Sequence, residues 1–387
     1  MPYTPHHRLL VLCFLCLFVA APILLGLICP KDLSAQTPSR KSRAADSSRA
    51  SKSAPTPTPS RRDALGEPPP APVLREKKAQ EVNPGDVIAV DTSEVMLPVT
   101  VRDASGHLVR DLTRQDFRVF EDGREQPLND LALRQVPVDV ILMVDASSSV
   151  AANLNDFHRA AEELAAHLDP NDRISLMKFD DRVVLLQDWT KSRFQLHRAL
   201  NRIDAGVFTR FNDALLLAAR EQFGASQSRR AIVVLSDGID TRSVTTTQGA
   251  LQALLESQVT VYVISNTEIS RAEKRAELET LSQGSDSAVQ FNQLRIDDLR
   301  QGLRALDDSE RSLAQLAQAT GGRLYKPLSF NRLDEAYREV AEELRQQYAV
   351  YYTPLNKTRD GSFRRVRVET SNPDYQASTR TGYYAPR

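Results

Sequence analysis

The amino-acid sequence predicts an α/β protein: a doubly wound, mostly parallel sheet, flanked by β segments from both chain ends that form a small β-sandwich. Three observations carry this reading. Residues 138–144 are a near-continuous apolar run that stops at Asp145, Ser147 and Ser149, the signature of a strand buried on both faces between helices. From there to about residue 347, strand-like and helix-like stretches alternate, as in sheets wound with helices on both sides. Before and after, residues 85–136 and 348–387 alternate apolar with polar positions, and each is too short to hold a core alone.

Taken in order, the chain opens with Leu9 to Cys29, 21 residues without a charge, after His6-His7-Arg8 and before the small Ala35. Residues 1–35 therefore read as a signal peptide or an uncleaved N-terminal anchor, the run being long enough to span a bilayer. All three cysteines, Cys13, Cys16 and Cys29, lie inside it. The remainder can hold no disulfide framework, thiolate metal site or cysteine nucleophile. Residues 36–84 form a Pro/Ser/Arg-rich linker, expected to be disordered because it has too little apolar surface to bury. Beyond residue 88 the chain has 38 Lys/Arg against 43 Asp/Glu, which argues against nucleic-acid binding.

In the N-terminal β segment, 85–136, Leu97, Val99 and Val101 alternate with polar residues. Phe117 to Gly123 then reads as a strand running into an Asp-Gly hairpin. In the C-terminal β segment, 348–387, three further runs match it: 348–353, 363–369 and 378–384. Packing of the two segments into one sandwich is expected; the alternative is that they extend the edges of the central sheet. Between them, 137–347 alternates. Phe157, Ala160, Ala161, Leu164 and Leu168 mark a helix stopped by Asp169-Pro170. Strands follow at 173–179 and 183–186, then helices at 194–203 and 214–223, a buried strand at 231–235, a helix at 249–256 and a third buried strand at 259–264. Residues 266–309 are highly charged and helix-favouring, and read as a surface insertion. A separate helix is expected at 312–320, then a short strand at 323–326 and a last amphipathic helix at 333–348.

The alternation of Asp145, Ser147 and Ser149 lets one extended or looping backbone aim a carboxylate and two hydroxyls the same way. These are hard oxygen donors, suited to Mg²⁺, Mn²⁺ or Ca²⁺. The spacing D-x-S-x-S after an apolar strand resembles the first part of the metal-ion-dependent adhesion site of von Willebrand factor A domains. Two further parts occupy the right places, Thr209 in a loop before a helix and Asp237 after a later strand. Segments such as 112–123, Ala319-Thr-Gly-Gly-Arg-Leu, 342–352 and Thr381-Gly-Tyr-Tyr384 are similar to a bacterial group called VWFA-related proteins. The resemblance implies a von Willebrand factor A-like domain at 137–347. It implies a divalent cation, Mg²⁺ first with Mn²⁺ or Ca²⁺ as alternatives, bound directly by Ser147 and Ser149. Asp145 and Asp237 would bind it directly or through water, and Thr209 by either route. It also implies a protein ligand whose exposed Asp or Glu completes the ion. Asp240 and Arg210 are candidates for a supporting shell. Val207 and Phe208 depart from the family's pattern, which places small residues before the threonine.

No G-x-S-x-G, H-E-x-x-H or phosphate-loop pattern occurs. His107, His158, His167 and His197 lack metal-ligand spacing, and the two in one helix, His158 and His167, read as surface residues. The expectation is thus a non-enzymatic adhesion or protein-binding module. It would be exported to a periplasmic, secreted or envelope-anchored position, touching membrane only through an uncleaved N-terminal segment. The alternative is a structural or assembly component of the cell envelope with a vestigial metal site.

Overall fold

The computed structural model describes residues 94–133, 136–147, 153–223, 228–283 and 285–387, all within one unit, Val82–Arg387. The expected signal or anchor, the linker, the first residues of the N-terminal β segment and Ser149 lie outside the described residues. The first strands are β1 (Val95–Arg102), β2 (Phe117–Glu121), β3 (Arg124–Gln126) and β4 (Leu128–Leu133). Side chains alternate along a strand, so Val95, Leu97, Val99 and Val101 of β1 share one buried face. Asp122 and Gly123 join β2 to β3 with φ of 48° and 83°, the two positive angles of a two-residue hairpin.

The α/β part runs β5 (Val138–Asp145), α1 (Leu154–His167), β6 (Arg173–Phe179), β7 (Val183–Thr190), α2 (Arg193–Leu200), α3 (Phe211–Leu217) and β8 (Arg229–Leu235). It continues through α4 (Thr247–Glu256), β9 (Val259–Ile264), α5 (Thr267–Ser282), α6 (Asp286–Phe291), α7 (Gln293–Ala319), β10 (Leu324–Tyr325) and α8 (Leu333–Gln346). The sheet order is β10-β9-β8-β5-β6-β7. β7 pairs antiparallel and the other pairings are parallel. Val138, Val140, Leu142 and Val144 of β5 enter one core with α1, α2 and α8. Ile141 and Met143 enter the other with α3, α4 and α7. This two-sided burial explains why β5 reads as a continuous apolar run rather than an alternating one. The chain leaves β5 toward β6 and returns to β8 on its other side. The winding therefore reverses between β5 and β8, where open α/β sheets open a crevice at the strands' carboxyl ends.

The last strands, β11 (Tyr348–Tyr352), β12 (Phe363–Thr370), β13 (Gln376–Ser378) and β14 (Gly382–Tyr384), complete two four-stranded sheets. Their orders are β13-β1-β11-β4 and β14-β12-β2-β3, each mixing strands from both chain ends. The two share a core that includes Leu97, Val119, Tyr348, Tyr352 and Val366. These strands make a sandwich of their own and do not extend the central sheet. Inside it, buried Glu121 accepts the hydroxyls of Tyr352 and Tyr383, both at 2.8 Å, and pairs with Arg364 at 3.3 Å. A buried carboxylate supplied in this way meets the requirement that interior charge be paired and hydrogen-bonded.

Three sequence expectations need correction. The segments read as a 266–309 insertion and a separate 312–320 helix share one 27-residue helix, α7. Its buried positions Ile296, Leu299, Leu306, Leu313 and Leu316 keep helical spacing through the charged stretch, so the apolar stripe runs unbroken beneath a charged surface. The helix expected at 214–223 begins at Phe211 and passes into π-helical turns at Ala218–Gln222. His158 is half-buried, not a surface residue, with its ring edge against Phe157. Among the described residues, no helix is long and apolar enough to cross a membrane.

Candidate metal centre

Adjacent parallel strands β5 and β8, in register at Val144 and Leu235, deliver Asp145 and Asp237 to the same end of the sheet. Asp145 is 1% exposed. One of its oxygens accepts the Ser147 amide at 3.0 Å and the other the Ser236 hydroxyl at 2.8 Å. Ser236 in turn accepts the Gly238 amide at 2.9 Å, and Asp237 Oδ1 accepts the Ile239 amide at 3.0 Å. Ser309, reaching in from α7, donates to the Asp237 carbonyl. Among the described residues, neither carboxylate is ion-paired with a lysine or arginine. Burial, then the charge of Asp237, push the Asp145 carboxyl up to about 6. Burial also raises Asp237, opposed by the Ile239 amide and the more distant charge of Lys274. Two buried like charges disfavour each other's ionisation unless a cation joins them.

Thr209 is brought to this end by a close approach at Gly206. The Gly206 amide donates to the Ala146 carbonyl at 2.9 Å. A Cβ on Gly206 would stand 2.5 Å from Cβ of Asp180, so any side chain would force the loop away. Val207 and Phe208 point outward, 74% and 37% exposed. Gly206 therefore supplies the small residue that the departure at Val207 and Phe208 had left missing.

Thr209 itself is buried, its amide donating to Thr241 Oγ1 at 2.9 Å and its carbonyl accepting the Thr241 and Arg242 amides, each at 3.1 Å. Asp240 accepts the amides of Asn212, Arg242 and Ser243 at 2.9, 3.2 and 2.9 Å. Asp213 accepts the Val244 and Thr245 amides and pairs with Arg210 at 3.1 Å. Arg210 is thus neutralised by its own helix turn, and Asp240 is a brace between the Thr209 loop and the Asp237 loop.

The structure brings Asp145, Ser147, Thr209 and Asp237 to one end of the sheet. Sequence reasoning missed Ser236, Ser309 and Asp213. A hydroxyl directly before the acid in Leu235-Ser-Asp-Gly was the available signal for Ser236. Ser309 and Asp213 act from α7 and α3, at separations no local pattern reports. Among the described residues, no group of three or more His, Cys, Asp or Glu side chains is placed to hold a metal ion. Any ion here would take hydroxyls as its remaining ligands. Two uncompensated carboxylates with neighbouring hydroxyls fit a hard divalent cation.

Residues 140–239 match the family model of the von Willebrand factor type A domain. The chain carries a von Willebrand factor type A domain. The matched stretch contains Asp145, Ser147, Ser149, Thr209 and Asp237. Type A domains are commonly protein-interaction modules built round a metal-ion-dependent adhesion site. Among solved structures, the chain is similar to mussel byssus proximal thread matrix protein 1 with a zinc-occupied adhesion-site motif, at 14% identity and TM-score 0.42, covering 58% of this chain and 50% of that one. It is also similar to a von Willebrand factor type A protein from Catenulispora acidiphila, at 12% identity and TM-score 0.41, covering 77% and 75%. A third is BatB from Bacteroides thetaiotaomicron, at 19% identity and TM-score 0.37, covering 54% and 97%. The matched part spans about half the length of the mussel protein. No curated protein matches the chain.

Proposed function

We propose that the protein is an exported, non-enzymatic binding module whose type A domain grips an acidic residue of a protein partner through a divalent cation. Asp145, Ser147, Ser149, Thr209 and Asp237 would hold the ion. The observation that carries this reading is the pair of buried carboxylates, Asp145 and Asp237, with which no lysine or arginine forms an ion pair among the described residues. A bound Mg²⁺, Mn²⁺ or Ca²⁺ would supply the missing positive charge and, with few carboxylates on it, an attraction for one more. The protein's own residues hold the donors still. Ser236 orients Asp145, Ser309 anchors the Asp237 backbone, and Asp240 and Asp213 brace the loops that carry Thr209 and the start of α3. The apolar run at 9–29 supports export, and residues 36–84 would serve as a tether between a cleaved or anchoring start and the folded part.

Thermal melting of the full chain in EDTA, then in Mg²⁺, Mn²⁺ or Ca²⁺, tests the proposal beside Asp145→Ala. An ion that binds only the folded state stabilises it by about 2.7 kcal/mol at a hundred times its Kd. The expected result is a rise in melting temperature in the wild type that the variant lacks. No rise up to millimolar cation, or an equal rise in the variant, overturns it.

A further inference from the structure

The two loops that brace the metal centre also present an apolar and cationic rim that the core does not use. Val207 and Phe208 immediately precede Thr209, and Val244 follows Arg242 in the loop stitched to it. Val207 is 74% and Val244 88% exposed. The Arg242 guanidinium lies 4.0 Å from the centroid of the Phe208 ring, a stacked cation–π pair. These side chains stand on anchored backbone. The Arg242 amide is shared between the Thr209 carbonyl and Asp240, and the Val244 amide bonds Asp213. Arg210 is already paired with Asp213. Among the described residues, no carboxylate pairs with Arg242.

Apolar side chains held in water on stiff loops lower no folding free energy. They reward a partner that arrives with its ordering cost already met. The rim offers two complementarities beside the ion: an apolar ledge at Val207, Phe208 and Val244, and an open cation at Arg242. Resting on the metal-site reading above, we infer that Phe208, Val207, Val244 and Arg242 determine specificity. The partner segment they fit is one whose acidic anchor is flanked by a large apolar side chain and a second carboxylate. The anchor completes the ion, the apolar side chain packs on the ledge, and the second carboxylate meets Arg242.

The test is selection from a random linear peptide library displayed on phage. The purified full chain is the bait in Mg²⁺ or Mn²⁺, and bound phage are released with EDTA. Wild-type pools should share one Asp or Glu, flanked by a large apolar residue and a further acid. The Arg242→Ala pool should lose enrichment of the second acid by about fivefold, on the scale of one partly exposed ion pair. The Val207→Ser and Phe208→Ser pools should lose the apolar preference to a similar degree while keeping the shared acid. Melting temperatures of the three variants check that each remains folded. EDTA-released peptides that share an acid but have the same flanks in wild type and variants overturn the rim and leave the metal site standing. Pools with no shared acid overturn both.

Discussion

At Asp145, burial and the neighbouring Asp237 both disfavour ionisation, and the carboxyl is held at about 6 against 3.8 for an ordinary one. The folded state therefore binds this proton more tightly than the unfolded chain. The stability it contributes is complete below about pH 4 and is lost as pH rises through 6. At 1.36 kcal/mol per unit, the full loss is about 3 kcal/mol. Asparagine carries no charge and keeps both contacts when its oxygen accepts the Ser147 amide and its NH2 donates to Ser236 Oγ. In EDTA at pH 7, Asp145→Asn should be more stable than wild type by up to about 3 kcal/mol, and the gap should close toward pH 4. Urea titrations of both proteins at several pH values measure this, and a gap independent of pH would refute it. Asp145, Ser147 and Asp237 were legible in sequence because each ends or follows a strand, and Thr209 because its loop precedes a helix. Asp240 was legible only as a supporting candidate; its bracing of amides from residues 212, 242 and 243 has no local sequence signal. Those partners converge only once β8 and α3 are placed.

At the level of elements, the loop 204–210 and helix α7 show how far pattern reading reaches. Charge density at 266–309 masks the start of the long helix α7, whose charges lie on its solvent side while the core meets only the buried stripe at Leu299, Leu306 and Leu313. In the loop, the apolar Val207 and Phe208 looked like an obstacle to the site. Their exposure shows that Gly206 governs the approach. Gly206→Ala should therefore do what changes at Val207 do not. Its Cβ would meet Asp180 at 2.5 Å, at an overpacking cost of about 1–3 kcal/mol. The displaced loop would move Thr209 off the centre. The expected outcome is cation affinity lowered by about tenfold or more, equivalent to about 1.4 kcal/mol. Val207→Ala should change neither stability nor cation affinity appreciably. Calorimetric titration of Mn²⁺ into both variants separates the cases, and equal affinities would show that the loop yields without moving Thr209.

Across the whole molecule, the sandwich can close only when both chain ends meet, so its stability depends on how firmly the intervening α/β layer holds them together. The junction is polar. Buried Glu343 of α8 accepts the Thr100 hydroxyl at 3.1 Å and the Tyr325 hydroxyl at 3.0 Å, and it pairs with Arg102. Arg110 adds bonds to Gln346 at 2.8 Å and Glu342 at 3.0 Å. A glycine makes the other seam. A Cβ on Gly321 would stand 2.5 Å from the Arg380 amide nitrogen, and the Thr381 amide bonds the Ala319 carbonyl at 2.9 Å. The sequence segments 319–324, 342–352 and 381–384 are thus among the places where sandwich and type A domain touch. Glu343→Ala leaves partly exposed Arg102 without its carboxylate and the Thr100 and Tyr325 hydroxyls without their acceptor, at a cost of about 1–3 kcal/mol. Tyr325→Phe removes one hydroxyl bond, worth about 1 kcal/mol. The single tryptophan, Trp189, lies in β7 and reports the α/β layer. With Tyr262, Tyr325 and Tyr337 of the α/β core changed to Phe in every protein compared, the tyrosine signal reports the sandwich, whose core holds Tyr348, Tyr352 and Tyr383. With no other change the two signals should lose structure together in urea, as one cooperative unit does, even without the Tyr325 bond. With Glu343→Ala added, the tyrosine signal should fall at lower urea than the tryptophan signal. Coincident transitions in Glu343→Ala would mean that the Arg110 bonds and the glycine seam suffice to couple the two parts.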